Sequence, residues 1–430
     1  MTIKAGVTGL LQRSPYRPVL THPQLRRVLP GIAFSSLGGG MSPVAISWLV
    51  LAIAPHHDRG LWVAMAVAAN ILPGAIGAFT LGRWCNGRPG SQLAGWDALL
   101  RAVFFTLIPV AYALGDLNVG VFVGLLAVSS LLQAWGKAGR YTMLSELLPD
   151  EHRLAGNSLV NVLLELSTIL GPLIAALIIA HGSPAWVLAA AALTYFVLAG
   201  TYKFAVPPEA NARVRAGASR AAGFRAVRGD RRLLGLLALS FGFFACYGPV
   251  TVALPLYVSL TLHASAATLA SFYTAFGIGA VAGAYASGHM QKWPLAVTAV
   301  GAVLCFGLAL LPLGLGFPVV ACWVAFGICG ASWGPFPTAT TTLFQRGASP
   351  ETLPQVLAAR QAMTGLAVPL GAMLGAPAVT LLGARGTLLT SACALTAMGV
   401  AAALLLLGAA VADRRTGRRA SAEIEALAEV

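Results

Sequence analysis

Polar side chains recur on one face of an otherwise apolar stretch, NSLVNVLLELSTILGP, which runs from Asn157 to Pro172. Asn157, Asn161 and Glu165 are spaced by four residues, and Thr168 continues the same helical face three residues later. A carboxyl group in apolar surroundings can exchange protons near neutral pH. Glu165 is therefore expected to carry a coupling proton, to bind a cationic or hydrogen-bonding ligand, or to do both. The alternative is a permanently protonated packing residue that hydrogen-bonds between helices.

The composition of the chain indicates that this stretch lies in lipid. Of its 430 residues 57% are hydrophobic and only 10% are charged, whereas a soluble domain carries roughly 25% charged residues. Apolar windows of about 20 residues recur, each long enough to cross a hydrocarbon layer of roughly 30 Å as a helix. We predict an all-α membrane protein with twelve transmembrane helices. The windows are 29–54, 61–81, 97–115, 118–136, 156–180, 185–203, 233–260, 266–287, 294–314, 317–337, 356–382 and 386–410.

Glu165 is predicted to lie near the middle of the bilayer. At 1.5 Å per residue it is about 18 Å beyond Arg153 and about 24 Å short of His181. A polar stripe that faced lipid would cost several kcal/mol, so the stripe must face the bundle interior or a wet cavity.

The basic residues predict the orientation of the helices. With twelve spans, only Arg59 and Arg385 of the 28 Lys and Arg residues fall outside the side that carries both termini. Cytoplasmic loops carry an excess of Lys and Arg, so both termini are predicted to be cytoplasmic in a multi-pass protein of the cell membrane. The formal net charge of +14 then reflects topology and contact with the lipid bilayer, and no nucleic-acid partner is predicted.

Four short sequence matches divide the chain into two similar halves. SPVAI at Ser42 matches GPVTV at Gly248, and GAFTLGRW at Gly77 matches GAYASGHM at Gly283, both at an offset of 206 residues. AWGKAGRYTML resembles SWGPFPTATTT, and LGPLIAAL resembles VPLGAML. Two pseudo-symmetric six-helix bundles are predicted, the architecture of alternating-access transporters. The predicted segments are 1–202 and 233–412 for the bundles, 203–232 for a basic cytoplasmic linker and 413–430 for a cytoplasmic tail.

The chain resembles the major facilitator superfamily, and most closely its branch of drug, macrolide and siderophore exporters. The resemblance depends on HPQLRRVLPGIAFSSLGGGMSPVAISWLVL at the first helix, WDALLRAV at the third, and AWGKAGRYTMLSELLPDEHRLAGNSL followed by LGP at the fourth and fifth. Two departures stand out. The family's charged loop motif is degenerate here, with Gly82, Arg83, Asn86 and Arg88, and Asn86 replaces its Asp. Gly39 stands where members of the branch often carry an Asp.

Two further motifs are implied by the resemblance. Gly171 and Pro172 match the start of a helix-five motif associated with antiporters. Asp97 and Arg101 match the start of helix three, where a spacing of four residues also predicts an ion pair. Lys137, Arg140 and Arg360 are expected at cytoplasmic helix ends, from which long cationic side chains reach the interface.

Aromatic and amide side chains are candidates to line a pathway for a large, mostly apolar ligand. For each of them, helix packing or anchoring at the membrane interface is an equally good interpretation. They are Asn70, Trp48, Gln133, Phe244, Tyr247, Trp333, Gln361 and Thr364.

The residues together predict a secondary active transporter. Its partners would be a small-molecule substrate and protons, and the protein is expected to be a monomer. The resemblance implies export of a hydrophobic or amphiphilic molecule such as an antibiotic, drug or siderophore, by proton antiport. There are two alternatives. One is a facilitator or importer of a nutrient or lysolipid, and the other is a membrane sensor or scaffold without transport. No metal, cofactor or enzymatic activity is predicted, because no metal-ligand spacing, nucleotide-binding motif or catalytic set is present in the sequence.

Overall fold

A computed structural model describes residues 14–55, 59–85, 87–206, 222–264, 266–290 and 292–428. These residues are predominantly helical and include no β-strand. Within the same ranges, nine helices are long and apolar enough to cross a membrane by length and composition alone. The chain has the predicted fold of twelve membrane helices in two bundles, numbered α1 to α12.

The first bundle contains α1 Leu25–Ile53, α2 Arg59–Thr80, α3 Gly90–Leu114, α4 Val119–Ser130 with Gln133–Leu147, α5 Asp150–His181 and α6 Pro184–Ala205. The second contains α7 Arg231–Leu256, α8 Ala266–Ser287, α9 Leu295–Leu315 and α10 Val319–Trp333 with Pro335–Gly347. It ends with α11 and α12, which lie in the segment Leu353–Ala428 on either side of a kink at Gly383, where φ is 72°. Three short helices, Arg17–Thr21, Gly82–Cys85 and Ala222–Gly229, lie outside the twelve.

Several membrane helices extend beyond their apolar windows at one side of the membrane. This is the side on which α6 ends at Ala205 and α7 begins at Arg231, and we call it the linker side. α3 begins at Gly90 rather than near Asp97, and α5 begins at Asp150 rather than near residue 156. The windows end early because these helix ends carry polar residues, such as Gln92 on α3 and the exposed Asp150 and Glu151 on α5, which lower the local hydropathy.

Glycines allow equivalent helices of the two bundles to pack backbone against backbone. A side chain at Gly77 on α2 would collide with the Leu131 carbonyl of α4, and one at Gly283 on α8 would collide with the Ala331 carbonyl of α10. The Trp135 indole also donates to the Gly77 carbonyl at 3.0 Å. Gly77 and Gly283 are partners in the sequence repeat, so the repeat corresponds to equivalent helix contacts.

The glycine of the helix-five motif has a packing role. Gly171 on α5 lies against Gly40 on α1 so closely that a methyl group on either would collide with the other helix. The second bundle has a similar contact, where Gly371 on α11 lies against Gly248 on α7. The motif thus brings α1 and α5 together, and Pro172 follows within the helix, where it lines a cavity described below.

Both α4 and α10 are interrupted near the middle of their length. α10 is divided at Gly334, directly before Pro335, whose ring cannot continue the regular hydrogen-bond ladder. α4 is divided at residues 131 and 132, where the Ser130 hydroxyl donates to the Ala69 carbonyl of α2 at 2.7 Å. These interruptions place Gln133 and Trp333 beside helix breaks in the interior of the two bundles.

The close helix contacts predict a position-specific loss of stability. Gly283→Val should drive a branched side chain into the α10 backbone, and overpacking of this kind costs roughly 1–3 kcal/mol. We expect the thermal unfolding midpoint in detergent to fall by at least about 3 °C. Gly301→Val is the matched control, because no atom lies within 4 Å of a Cβ at this exposed glycine of α9. Equal melting temperatures for the two variants would contradict the packing role.

Candidate functional site

Glu165 lies on the face of α5 that is directed toward the second bundle. Its side chain is half-buried and interacts with the side chain of Trp333 on α10. Tyr141 of α4 and Tyr247 of α7 lie within electrostatic range of the carboxyl group. The acid predicted at mid-membrane therefore lies between the two bundles, with aromatic residues of both around it.

Trp333 is the centre of an aromatic cluster in the second bundle. Its ring centroid lies 4.8 Å from that of Tyr247 and 5.2 Å from that of Phe244. Phe276 and Phe306 follow at 5.7 and 6.1 Å. Three of the predicted pathway residues, Trp333, Tyr247 and Phe244, thus form one apolar wall that faces Glu165.

The first bundle lines most of a cavity of about 500 Å³ that has both polar and apolar walls. Four of the predicted coupling and pathway residues line it: Asn70 on α2, Gln133 on α4, Thr168 on α5 and Gln361 on α11. Because Gln361 belongs to the second bundle, the cavity reaches the interface between the bundles. Ser35, Ser36, Ser42, Ser167, Gly39, Tyr141, Tyr195 and Tyr202 also line it.

Charged side chains occupy the wall of this cavity formed by α3 and α4. The Arg101 guanidinium contacts the Asp97 carboxylate, Nε to Oδ1, at 3.2 Å, as their spacing predicts. Gly136 of α4 permits this arrangement, since a side chain there would collide with the Asp97 carboxylate. Lys137 and Arg140 project from the same segment of α4 and line the cavity with them.

The expected positions of the interior cations are corrected by the structure. Arg101, Lys137 and Arg140 lie along the cavity instead of at a helix end. Arg360 is 3% exposed, donates to the Thr340 hydroxyl at 3.1 Å, and lies 5.7 Å from the centre of the Phe344 ring. The early α3 start and the length of the second α4 segment place Arg101, Lys137 and Arg140 away from the helix ends. Arg101 is buried, Arg140 is partly buried, and Lys137 is exposed where it lines the cavity.

The polar stripe of α5 has two parts with different surroundings. Asn157 is fully buried and donates to the Thr342 hydroxyl at 2.8 Å and to the Gln345 side-chain carbonyl at 2.7 Å. Asn161 donates to Thr338 at 2.6 Å and accepts from the Tyr141 hydroxyl at 3.0 Å. The two asparagines therefore join α5 to α10 at the linker side, while Glu165 and Thr168 lie deeper.

Ser158 extends this contact between the bundles. Its hydroxyl hydrogen-bonds to Tyr16 at 2.9 Å and to Ser287 of α8 at 3.2 Å, and it also donates to the Ala284 carbonyl. Gln345 adds a bond of 2.7 Å to the Tyr141 carbonyl. We call Asn157, Ser158, Asn161 and their partners on α8 and α10 the linker-side gate, since they close this end of the interface.

Sequence reasoning missed the α10 half of the gate. The run TATTTLFQ places Thr338, Thr342 and Gln345 at spacings of four and three residues, the same helical signature that identified the α5 stripe. A comparison of polar periodicity between helices could have paired the two stripes.

The remaining predicted residues lie elsewhere. Trp48 is 54% exposed, and the Thr364 hydroxyl donates to the Arg360 carbonyl at 2.9 Å within α11. In the degenerate loop motif Gly82 is buried and Arg83 is exposed. The Arg88 guanidinium lies 5.0 Å from the centre of the Trp96 ring, and Asn86 lies outside the described residues.

Comparisons with known proteins agree with this architecture. The family model of the Major Facilitator Superfamily matches residues 28–372. An uncharacterized MFS-type transporter of Sinorhizobium fredii, y4rN, is 25% identical over 372 residues, which are 85% of this chain and 91% of that protein.

Two solved structures are similar in fold. The human organic anion transporter MFSD10 has a TM-score of 0.70 at 15% identity, covering 88% of this chain and 99% of that chain. The proton:xylose symporter XylE has a TM-score of 0.68 at 15% identity, covering 91% and 96%. At these identities the likeness shows the fold alone. The family match covers most of the sequence, and the chain belongs to the Major Facilitator Superfamily of transporters.

Proposed function

We propose that this protein is a secondary active transporter that exports a hydrophobic or amphiphilic small molecule in exchange for protons taken up at Glu165. The observation that carries the proposal is the position of Glu165 between the bundles, opposite Trp333 and Tyr247. An ionisable residue inside a membrane protein marks an ion or substrate pathway by default.

Opening of the linker-side gate would change the surroundings of Glu165. Glu165 lies two turns along α5 from Asn157, and Trp333 is on the same helix as the gate residues Thr338 and Thr342. Separation of α5 from α10 would withdraw the Trp333 side chain from the carboxyl group and admit water. Protonation at Glu165 and the conformation of the bundles would then be linked, as coupling requires.

The chemistry of the aromatic wall supports the substrate class. Trp333, Tyr247 and Phe244 offer ring faces and few polar atoms, which suits the apolar part of a small molecule. The direction of transport depends on the resemblance to exporters, and the cytoplasmic placement of both termini depends on the distribution of Lys and Arg. Antibiotics, drugs and siderophores remain the proposed substrates.

Replacement of the acid tests the coupling. In liposomes with an internal pH dye, wild-type protein should show proton flux on addition of amphiphilic antibiotics or dyes. Glu165→Gln, which keeps the shape but cannot ionise, should lower this flux at least about tenfold. Glu165→Asp should keep a measurable part of it.

The matched control is Glu151→Gln, at an exposed position at the start of the same helix, which should leave the flux unchanged. Proton-coupled transport that persists in Glu165→Gln would remove the coupling role. Substrate flux without any pH dependence in wild type would leave a facilitator, and the absence of flux across the panel would favour a sensor.

The linker-side gate predicts a shift in conformational equilibrium. Asn157→Ala removes three buried hydrogen bonds and leaves Gln345 with fewer partners, at a cost of about 1–3 kcal/mol to the closed arrangement. We expect a roughly tenfold larger population open at the linker side, measured as a longer distance between spin labels at exposed Glu151 and Ser349.

Asn118→Ala provides the comparison for this measurement. Asn118 caps the start of α4 through a bond to the Val121 amide at 2.9 Å, away from the gate. Its replacement should leave the distance distribution as in wild type. An unchanged distribution in Asn157→Ala would show that the gate does not control the closed arrangement.

A further inference from the structure

The cavity in the first bundle carries more positive than negative side chains. Among the described residues, Arg101, Lys137 and Arg140 line it together with one carboxylate, that of Asp97. The charges of Arg101, Asp97 and Arg140 all act on the Lys137 ammonium group. Three cations and one carboxylate give the described lining a positive excess.

These charges lie far from the ends of their helices. Arg101 is about 16 Å along α3 from Gly90, and Lys137 is about 15 Å from the end of α4 at Leu147. Arg101 is 8% exposed. Cations inside the bundle of a membrane protein are costly unless an anion or water compensates them, and they mark substrate or ion pathways. The excess therefore favours a negatively charged occupant.

The shape and the donors of the cavity suit an organic anion. Arginine and lysine donate to carboxylate, sulfonate or phosphate oxygens. The volume of about 500 Å³ is within the range of roughly 300–1,000 Å³ that small-molecule sites occupy. Thr168 and Gln361 bring the cavity to the bundle interface, one turn along α5 from Glu165 and its aromatic wall.

We propose that the substrate is an amphiphilic organic anion whose acidic group binds Arg101, Lys137 and Arg140. Its apolar part extends toward the bundle interface. The inference rests on the proposed transport function and specifies its substrate class. The competing interpretation is a structural charge cluster that has no ligand.

Gly39 offers a direct test of the charge. It lines the cavity, and a Cβ at this position would meet only the Tyr195 hydroxyl, at an ordinary contact distance of 3.5 Å. A short side chain is therefore tolerated there. Gly39→Asp would add a carboxylate to the lining and reduce the positive excess, whereas Gly39→Asn adds nearly the same volume without charge.

The experiment measures binding to the full chain in lipid nanodiscs by thermal unfolding. The probes are 2-naphthylacetate, 2-naphthalenesulfonate and 2-naphthyl phosphate, with 2-naphthylacetamide and 2-naphthylethylammonium as neutral and cationic counterparts. We expect at least one anion to raise the melting temperature saturably, with an affinity at least tenfold above its counterparts. Gly39→Asp should bind that anion at least tenfold more weakly than Gly39→Asn.

A second pair of variants covers the case in which the aspartate prevents folding. Lys137→Met should weaken anion binding at least tenfold relative to Lys137→Arg, which keeps the charge. Arg232→Gln, an exposed cation on the linker side, should match wild type. Equal affinities for the anion and the amide, or the failure of every anion to bind, would overturn the proposal.

Flux in liposomes separates this inference from the transport function. Anion binding with no flux of the same probe would retain the anion site and remove the transport proposal. Proton-coupled flux of neutral or cationic substrates without anion binding would retain the transport proposal and overturn the anion site.

Discussion

No water is present in the hydrocarbon core to satisfy a polar group, and this constraint determines where the polar side chains of the chain lie. It turns the α5 stripe inward and pairs Asn157 and Asn161 with α10. It also gathers the Asp97 and Arg101 pair with Lys137 and Arg140 around one cavity. Each of these arrangements removes charge or hydrogen-bonding groups from lipid, and together they form the interior through which a substrate would pass.

The contacts within a bundle differ in kind from the contacts between bundles. Inside each bundle, glycines bring backbones together, as at Gly40 with Gly171 and at Gly283 with Ala331. Between the bundles, the linker-side gate consists of side-chain hydrogen bonds, each with a net worth of about 1 kcal/mol. The bundles are therefore suited to move as rigid bodies, while the gate can open at a cost that ligand or proton binding can supply.

The two sides of the proposed site complement each other chemically. The first bundle contributes a positively charged cavity, and the second contributes the aromatic wall around Trp333. Glu165 lies between them, on the helix that also carries the gate. Helix α5 would thus link three events: protonation of Glu165, binding of a substrate in the cavity and opening of the gate.

The sequence by itself determined the twelve membrane helices, the two related halves and the inward-facing acid, because hydropathy, repeats and helical spacing follow directly from the order of the residues. It could not determine which polar groups meet. Asn157 and Gln345 are 188 residues apart, and their contact depends on how α5 and α10 rotate and pack.

The sequence could not predict the surroundings of the interior cations either. Arg101, Lys137 and Arg140 were predicted at helix ends because apolar windows stop at polar residues, whether these face water or a cavity. Only the tertiary structure decided that they line a common cavity, since the start of α3 at Gly90 and the close approach of Asp97 to Gly136 bring them to the same wall.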